Sequence, residues 1–216
     1  TGDITTYPIT TTATSNIGLG ANAVDSITTG DYNVGVGDNA LTSNTEGSHN
    51  SAVGYGTLRL NTTGERNSAF GRDALDSNTT GSHNTAVGQA ALYLNTTASY
   101  NTACGKESLR NNTTGAENTA VGYGALFYNT TATGNVAVGS ETLKQNTTGA
   151  SNTAVGYVSL NANTTGTNNV AVGANALQPN TTGSSNTAVG KGSLASNTTA
   201  SNNTAVGHEA LVSNTT

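Results

Sequence analysis

The sequence repeats itself with a fixed period of seventeen residues, and no copy contains an insertion or a deletion. A constant period of this length is typical of solenoids and related stacked arrays, in which each copy is one unit that packs on the next. An asparagine begins every copy, and we number the positions p1 to p17 from it and the copies coils 1 to 12. These asparagines are Asn16, Asn33, Asn50, Asn67, Asn84, Asn101, Asn118, Asn135, Asn152, Asn169, Asn186 and Asn203.

The positions of the unit fall into fixed chemical classes. Position p5 is Gly in every coil, which predicts a corner that needs a positive φ or has no room for a Cβ. Position p4 is always apolar, p9 is Leu except for Val24, p8 is Ala, Ser or Thr, and p3 is Ala or Gly. Charged residues of the array occur only at p6, p7, p10, p14, p16 and p17. This segregation separates packed positions from solvated ones.

The unit is rich in Thr, Val, Asn and Gly, a composition that disfavours helices and suits short strands joined by turns. Side chains alternate along a strand, so we predict that p2 and p4 line the core and that p3 faces away from it. A second short strand is predicted at p9 to p13, with p9, p11 and p13 on one face. The sequence therefore predicts an all-β fold, a parallel β-solenoid (β-roll) of about twelve seventeen-residue coils.

The register divides the chain into two parts. Residues 1–9 do not fit the repeat and are expected to form an irregular leader or cap, whereas residues 10–216 form the solenoid. The array stops in the middle of a repeat at Thr216. We expect that further chain follows, that a C-terminal domain has been removed, or that subunits stack end to end.

One coil supplies only about two large apolar side chains, p4 and p9, whose burial contributes about 3–6 kcal/mol. Ordering a coil costs on the order of 1 kcal/mol for each of its seventeen residues. We therefore expect a homo-oligomer, either a trimer or an end-to-end polymer, in which the small p3 residues pack against a sister chain. The alternative is that p3 packs beneath the p15–p17 loop of its own chain.

The polar positions allow structural and chemical interpretations. The p1 asparagines predict either a ladder of hydrogen-bonded amides along the axis or local Asx turns. The Asn-Thr-Thr at p12 to p14 is formally a glycosylation acceptor, for instance at Asn61, Asn78, Asn112 and Asn146, or else simply turn and strand chemistry.

The single cysteine, Cys104, replaces Val at p4 and is predicted to be a buried small hydrophobe.

Several classes of function find no support in the sequence. The net charge is −5 and the seven basic residues are scattered, so no nucleic-acid-binding surface is predicted. No apolar run is long enough for a membrane span. His49 and His83 lie two coils apart, roughly 10 Å by the strand spacing, and no column of Asp recurs. We predict no metal site, no cofactor, no catalytic residues and no enzymatic activity.

Aromatic residues at outward positions suggest one binding surface. They fall at p6 and p10, where side chains are predicted to face solvent and could stack on sugar rings. The candidate glycan-contacting residues are Tyr55, Tyr93, Tyr123, Phe127 and Tyr157. The stacked Thr columns at p13 and p14 raise the alternative of ice binding.

The unit NTAVG…AL…NTTG resembles the repeats of phage tail-fibre and bacterial surface-fibre proteins over residues 10–216. It is also similar to the heads of trimeric autotransporter adhesins, whose shorter NSVAIG-type repeats form a left-handed parallel β-roll in a trimer. The resemblance implies a structural rod of an extracellular, cell-surface or virion fibre that positions or contributes to attachment. The alternatives are a self-assembling extracellular filament subunit and a glycan- or ice-binding β-solenoid.

Overall fold

A computed structural model describes residues 13–215, so the predicted leader at residues 1–9 lies outside the described residues. Within these residues, twelve three-residue strands at p2 to p4 form one parallel sheet in chain order. The strands are β1 (Ile17–Leu19), β2 (Val34–Val36), β3 (Ser51–Val53), β4 (Ser68–Phe70), β5 (Thr85–Val87), β6 (Thr102–Cys104), β7 (Thr119–Val121), β8 (Val136–Val138), β9 (Thr153–Val155), β10 (Val170–Val172), β11 (Thr187–Val189) and β12 (Thr204–Val206).

Each strand pairs in register with the same positions of the next coil, as Thr85 does with Thr102. Eleven steps of about 4.8 Å make a rod roughly 50 Å long. The part of the chain that the structure describes contains no helix. The predicted parallel β-solenoid with one turn per repeat is therefore confirmed.

The predicted second strand at p9 to p13 is wrong, because this segment is a series of turns. The residue at p9 has a positive φ in every coil, 52° at Leu92 and 50° at Leu109, whereas strand residues require a negative φ. Position p7 is also left-handed, as at Ala90 with φ 55°. These two reversals fold the chain back within one coil. The turns still bond along the axis, since the Leu92 N–H donates to the Ser108 carbonyl at 3.0 Å.

The predicted orientation of the strand is also wrong. Ala86 at p3 is 0% exposed within a single chain, whereas Val87 at p4 is 38% exposed. The p3 face meets p8 and p9, and a Cβ added to Gly35 at p3 would lie 2.7 Å from Cγ2 of Val24 and 3.2 Å from the Ala40 carbonyl oxygen. Position p3 is therefore small because it faces p8 and p9 of its own chain, and neither a sister chain nor the p15–p17 loop is needed to explain it.

The core consists of stacked small residues at p3 and p8 and of the large side chains at p9. The p9 leucines are fully buried from Leu41 to Leu194. Burial of one such side chain contributes about 1.5–3 kcal/mol. The coil thus depends on one large apolar residue, and p2 and p4 are left on the outer face of the sheet.

The invariant glycine at p5 forms the predicted corner. Gly88 has φ 132°, a conformation that residues with a side chain rarely adopt. A Cβ at this position would also lie 2.6 Å from the carbonyl carbon of Gly105 in the next coil. Both the backbone conformation and the tight stacking therefore require Gly.

Two ladders of asparagine amides run along the axis. At p1, the Asn101 Oδ1 accepts hydrogen bonds from the Asn118 N–H at 3.0 Å and from the Asn118 Nδ2 at 3.2 Å, and this Nδ2 also donates to the Ala132 carbonyl at 2.9 Å. At p12, the Asn95 Nδ2 donates to the Asn78 Oδ1 at 2.9 Å and also to the Ala98 carbonyl at 3.0 Å. The predicted p1 ladder is confirmed, and a second ladder, at p12, lies beside it. Among the described residues, no buried side-chain nitrogen or oxygen lacks a partner.

Candidate functional site

The five aromatic residues predicted to contact glycans do not form one surface. Tyr55, Tyr123 and Tyr157 at p6 are exposed, whereas Tyr93 and Phe127 at p10 are partly buried. The structure brings Tyr55 and Tyr93 together in one groove. The other three do not line this groove.

The groove lies on the side of the rod formed by p6, p7, p10 and p11 of coils 2 to 5. Its volume is about 590 Å³. Its lining residues are Asn39, Thr42, Ser43, Tyr55, Arg59, Arg72, Asp73, Asp76 and Tyr93. We call this feature the side groove.

A glycine at the variable position p7 makes room in the side groove. Position p7 of coil 3 is Gly56, in the left-handed conformation with φ 65°. A Cβ at Gly56 would lie 2.7 Å from the Asp73 Oδ1, so the glycine leaves space for this carboxylate. The result is a recess whose base is polar, next to the ring of Tyr55.

Two ion pairs lie in the side groove. Arg59 donates from Nε and from one terminal nitrogen to the two carboxylate oxygens of Asp76, at 2.8 and 2.9 Å. The Asp76 side chain is only 5% exposed, against 41% for Arg59. The hydrogen bond to Asp76 raises the pKa of the Arg59 guanidinium above its ordinary value. The second pair joins Arg72 Nε to Asp73 Oδ2 at 3.0 Å.

Cations and rings also stack between neighbouring coils. The Arg72 guanidinium lies 5.9 Å from the ring centre of Tyr55. Arg110 lies 5.3 Å from the ring of Tyr93 and 5.7 Å from that of Phe127. Such cation–π contacts hold the rings in place. The p10 side chains of coils 3 to 7 thus form a continuous column of charged and aromatic groups.

Sequence reasoning missed the four charged residues of the side groove. Arg59 and Asp76 are seventeen residues apart and become neighbours because equal positions of successive coils stack. The signal was available in the repeat, since p10 is Arg59 in coil 3 and Asp76 in coil 4. A comparison of successive coils at one position would have found the pair.

A second column of planar side chains lies at p17. Tyr32 stacks on His49 with ring centres 5.1 Å apart, and His83 stacks on Tyr100 at 5.0 Å. Arg66 holds the intervening p17 position. Within residues 13–215, no group of three or more His, Cys, Asp or Glu side chains lies close enough to hold a metal ion.

The outer face of the sheet carries the side chains of p2 and p4, and we call it the outer strip. Its p4 row is mostly Val and its p2 row is Thr, Ser, Val or Ile. Cys104 lies in the p4 row and is exposed, so its predicted burial is wrong. The cause is the reversed strand orientation described above. No charged residue interrupts the outer strip, because none occurs at p1 to p5 of any coil.

The formal glycosylation acceptors are buried. Asn61 and Asn112 are fully buried, and the Asn112 Nδ2 donates to the Asn95 Oδ1 and to the Gly115 carbonyl, both at 2.9 Å. The folded chain leaves this nitrogen no access to a glycan, which favours the structural interpretation. The adjacent Thr at p14 is exposed, whereas the p13 hydroxyl donates to a backbone carbonyl, as Thr96 does to Thr113. Ice binding by the Thr columns stays a prediction.

Comparisons with protein-family models, with curated proteins and with solved structures found no match. Among the described residues, no helix has the length and apolar character needed to cross a membrane. The functional argument therefore depends on the outer strip and the side groove.

Proposed function

We propose that this chain is the structural rod of an extracellular or viral fibre or adhesin, and that it positions or contributes to attachment at a cell or virion surface. Three parallel copies associate through their outer strips, and the rod has no catalytic role. The single observation that carries the proposal is the outer strip, an uncharged and largely apolar face that follows the whole rod.

The composition of the outer strip is typical of a surface that a binding partner covers. Val87, Val121 and Val138 each leave more than a third of their surface exposed in the isolated chain. Charged residues occur at six other positions of the unit but never at p1 to p5. Contiguous exposed apolar patches of this kind mark interaction sites in soluble proteins.

The dimensions of the strip support a second copy of the chain as its partner. A strip about 50 Å long and roughly 10 Å wide offers on the order of 500 Å² per chain. Counting both partners gives about 1,000 Å², which reaches the lower limit for a specific interface. A strip only three residues wide is narrow enough to be covered by two neighbouring strips around a threefold axis. The resemblance of the repeat to trimeric fibre proteins also supports a trimer.

The mass of the protein in solution tests the association. Multi-angle light scattering should give three times the chain mass of 21.5 kDa. Val87→Lys and Val121→Lys, on the outer strip, should yield monomers because a buried ammonium without a partner is strongly unfavourable. Thr97→Lys, at the exposed p14 of coil 5, is the matched control and should stay trimeric. A monomeric wild-type chain, or a polymer of uneven length, would contradict the trimer.

Cross-linking tests whether the copies are parallel and in register. Because Cys104 is the only cysteine, a Cys104→Ala chain carrying Val53→Cys reports on coil 3 alone. In a parallel trimer, equal coils lie level, and a short bismaleimide should join two chains in high yield. In an antiparallel pair, coil 3 faces coil 10, and equal residues lie roughly 34 Å apart. Absence of the cross-linked species from a chain that still associates would exclude the parallel arrangement.

A further inference from the structure

We propose that the side groove is a carbohydrate-binding site for a neutral oligosaccharide that lies along the rod. This site is independent of how the copies associate, because the outer strip occupies other positions of the coil. Tyr55, Tyr93, Arg59 and Asp73 are the residues placed to contact the sugar.

The groove combines the two kinds of group that recognise sugars. A pyranose ring has an apolar face of C–H groups, which packs on aromatic rings such as those of Tyr55 and Tyr93. It also has neighbouring hydroxyls that both donate and accept hydrogen bonds. Asp73 supplies carboxylate acceptors, and Arg59 keeps donors beyond the two that bind Asp76. The two chemistries lie within one open recess of about 590 Å³.

The polar groups are fixed before a ligand arrives. Asp76 is buried and holds the Arg59 guanidinium with two hydrogen bonds, at 2.8 and 2.9 Å. A preorganised guanidinium loses less conformational entropy on binding than a free one. Two cation–π contacts likewise hold the rings, Arg72 against Tyr55 and Arg110 against Tyr93.

The fold does not require the ion pair of Arg59 and the buried Asp76. Removing the Asp76 carboxylate from water is costly, so the pair is weak support for stability. Other coils have Thr42, Asn161 or Ala195 at the same p10 position and complete the same turn. From coil 3 to coil 8, p10 holds only charged and aromatic side chains. A role outside folding explains this concentration.

The charge of the groove selects the class of ligand. The lining contains two arginines and two aspartates, so its formal charge is zero, and each arginine is paired with one aspartate. A polyanion such as nucleic acid or a sulfated glycan requires unpaired cations. A neutral sugar chain does not. Successive coils rise by about 4.8 Å, so successive sugar rings of a linear chain can meet successive coils.

The first experiment is a printed glycan array probed with the full chain, which should show binding to a set of neutral oligosaccharides. Titration calorimetry with the strongest of these then gives the affinity of each variant. Tyr55→Ala and Arg59→Gln should each weaken binding at least tenfold. Tyr157→Ala is the matched control, since Tyr157 is at p6 and 62% exposed but lies outside the groove, and its affinity should change less than twofold.

Three results would overturn the proposal: a blank array, binding confined to anionic glycans, or equal losses for Tyr55→Ala and Tyr157→Ala. Far-UV circular dichroism of every variant separates loss of binding from loss of fold. Light scattering of the same samples gives the oligomeric state, so failure of the carbohydrate site and failure of the trimer are distinguished. A chain that is trimeric but binds no sugar contradicts this inference alone.

Discussion

The leucine at p9 adopts the least favourable backbone conformation of any residue in the coil core. A residue other than Gly in the left-handed region costs on the order of 1–2 kcal/mol. Burial of the leucine side chain offsets this, contributing about 1.5–3 kcal/mol. Its N–H is also bonded to the next coil, as Leu109 is to the Ala125 carbonyl at 2.9 Å. Gly at p9 would relieve the strain but remove the only large core side chain.

Position p7 is left-handed without that compensation, so glycine should be better there. Gly56, Gly124 and Gly192 already hold this position in three coils. We expect Ala90→Gly to raise the free energy of unfolding by about 0.5–1 kcal/mol in urea, because Ala90 has φ 55°. Ala86→Gly, in the core strand of the same coil, should lower it by about 1 kcal/mol. Equal destabilisation by the two variants would contradict the left-handed assignment.

Because of the p12 ladder, replacing one of its buried asparagines should lower the free energy of unfolding. Asn112 donates two hydrogen bonds and accepts one from the Asn129 Nδ2 at 2.8 Å. Asn112→Ala leaves buried partners unsatisfied, at about 1–3 kcal/mol each, so we expect a loss of roughly 2–4 kcal/mol in urea unfolding. Asn111→Ala, at the half-buried adjacent position, should change stability by less than about 0.5 kcal/mol. If Asn112→Ala lowers stability no more than Asn111→Ala does, the ladder is ruled out.

The coil is the repeating structural element. Because each coil makes the same contacts with its neighbours, one coil can take the place of another. Each strand pairs only with the preceding and following coils, always with a seventeen-residue shift. In such arrays, stability is approximately a sum over repeats and their interfaces. Loss of one whole coil therefore removes one interface and leaves every other contact in register.

Deletion of residues 152–168, which is coil 9, should leave a cooperative β-solenoid with a melting temperature only a few degrees lower. Deletion of residues 152–159 is the control, since it brings the p9 leucine Leu160 to a p1 position. That chain should lose its cooperative transition in far-UV circular dichroism. If both deletions behave alike, the register does not control the fold.

At the scale of the whole molecule, the period determined most of what the sequence could predict. Equal spacing of the asparagines predicted the stacking and its one-turn register. The charge pattern separated inner from outer positions only in part. The charge-free p4 lies on the outer face, where Val87 is 38% exposed. Asp76, at a position predicted to face solvent, is buried against Arg59. The pairing that buries it depends on two coils being adjacent.

Alternation along the strand could not decide which face is the core. Ala at p3 and Val at p4 are both apolar, and the larger residue was assigned to the core. The structure reverses this because p3 faces the p9 leucine and needs a small side chain. A leucine does not indicate a positive φ, so the sequence could not predict the turn at p9. The groove itself was not predicted, although two of its lining residues, Tyr55 and Tyr93, were among the aromatic residues expected at outward positions.

The hydrogen bonds between coils run parallel to the rod axis, and this determines how the rod carries a mechanical load. Tension along the axis pulls on all the bonds of one junction together, because they lie side by side across the coil. Each junction therefore bears force as a unit. The junction between coils 1 and 2 lacks the p12 amide hydrogen bond, since Ile27 replaces the asparagine. This junction should separate at a lower tension than a junction that keeps every one of these bonds.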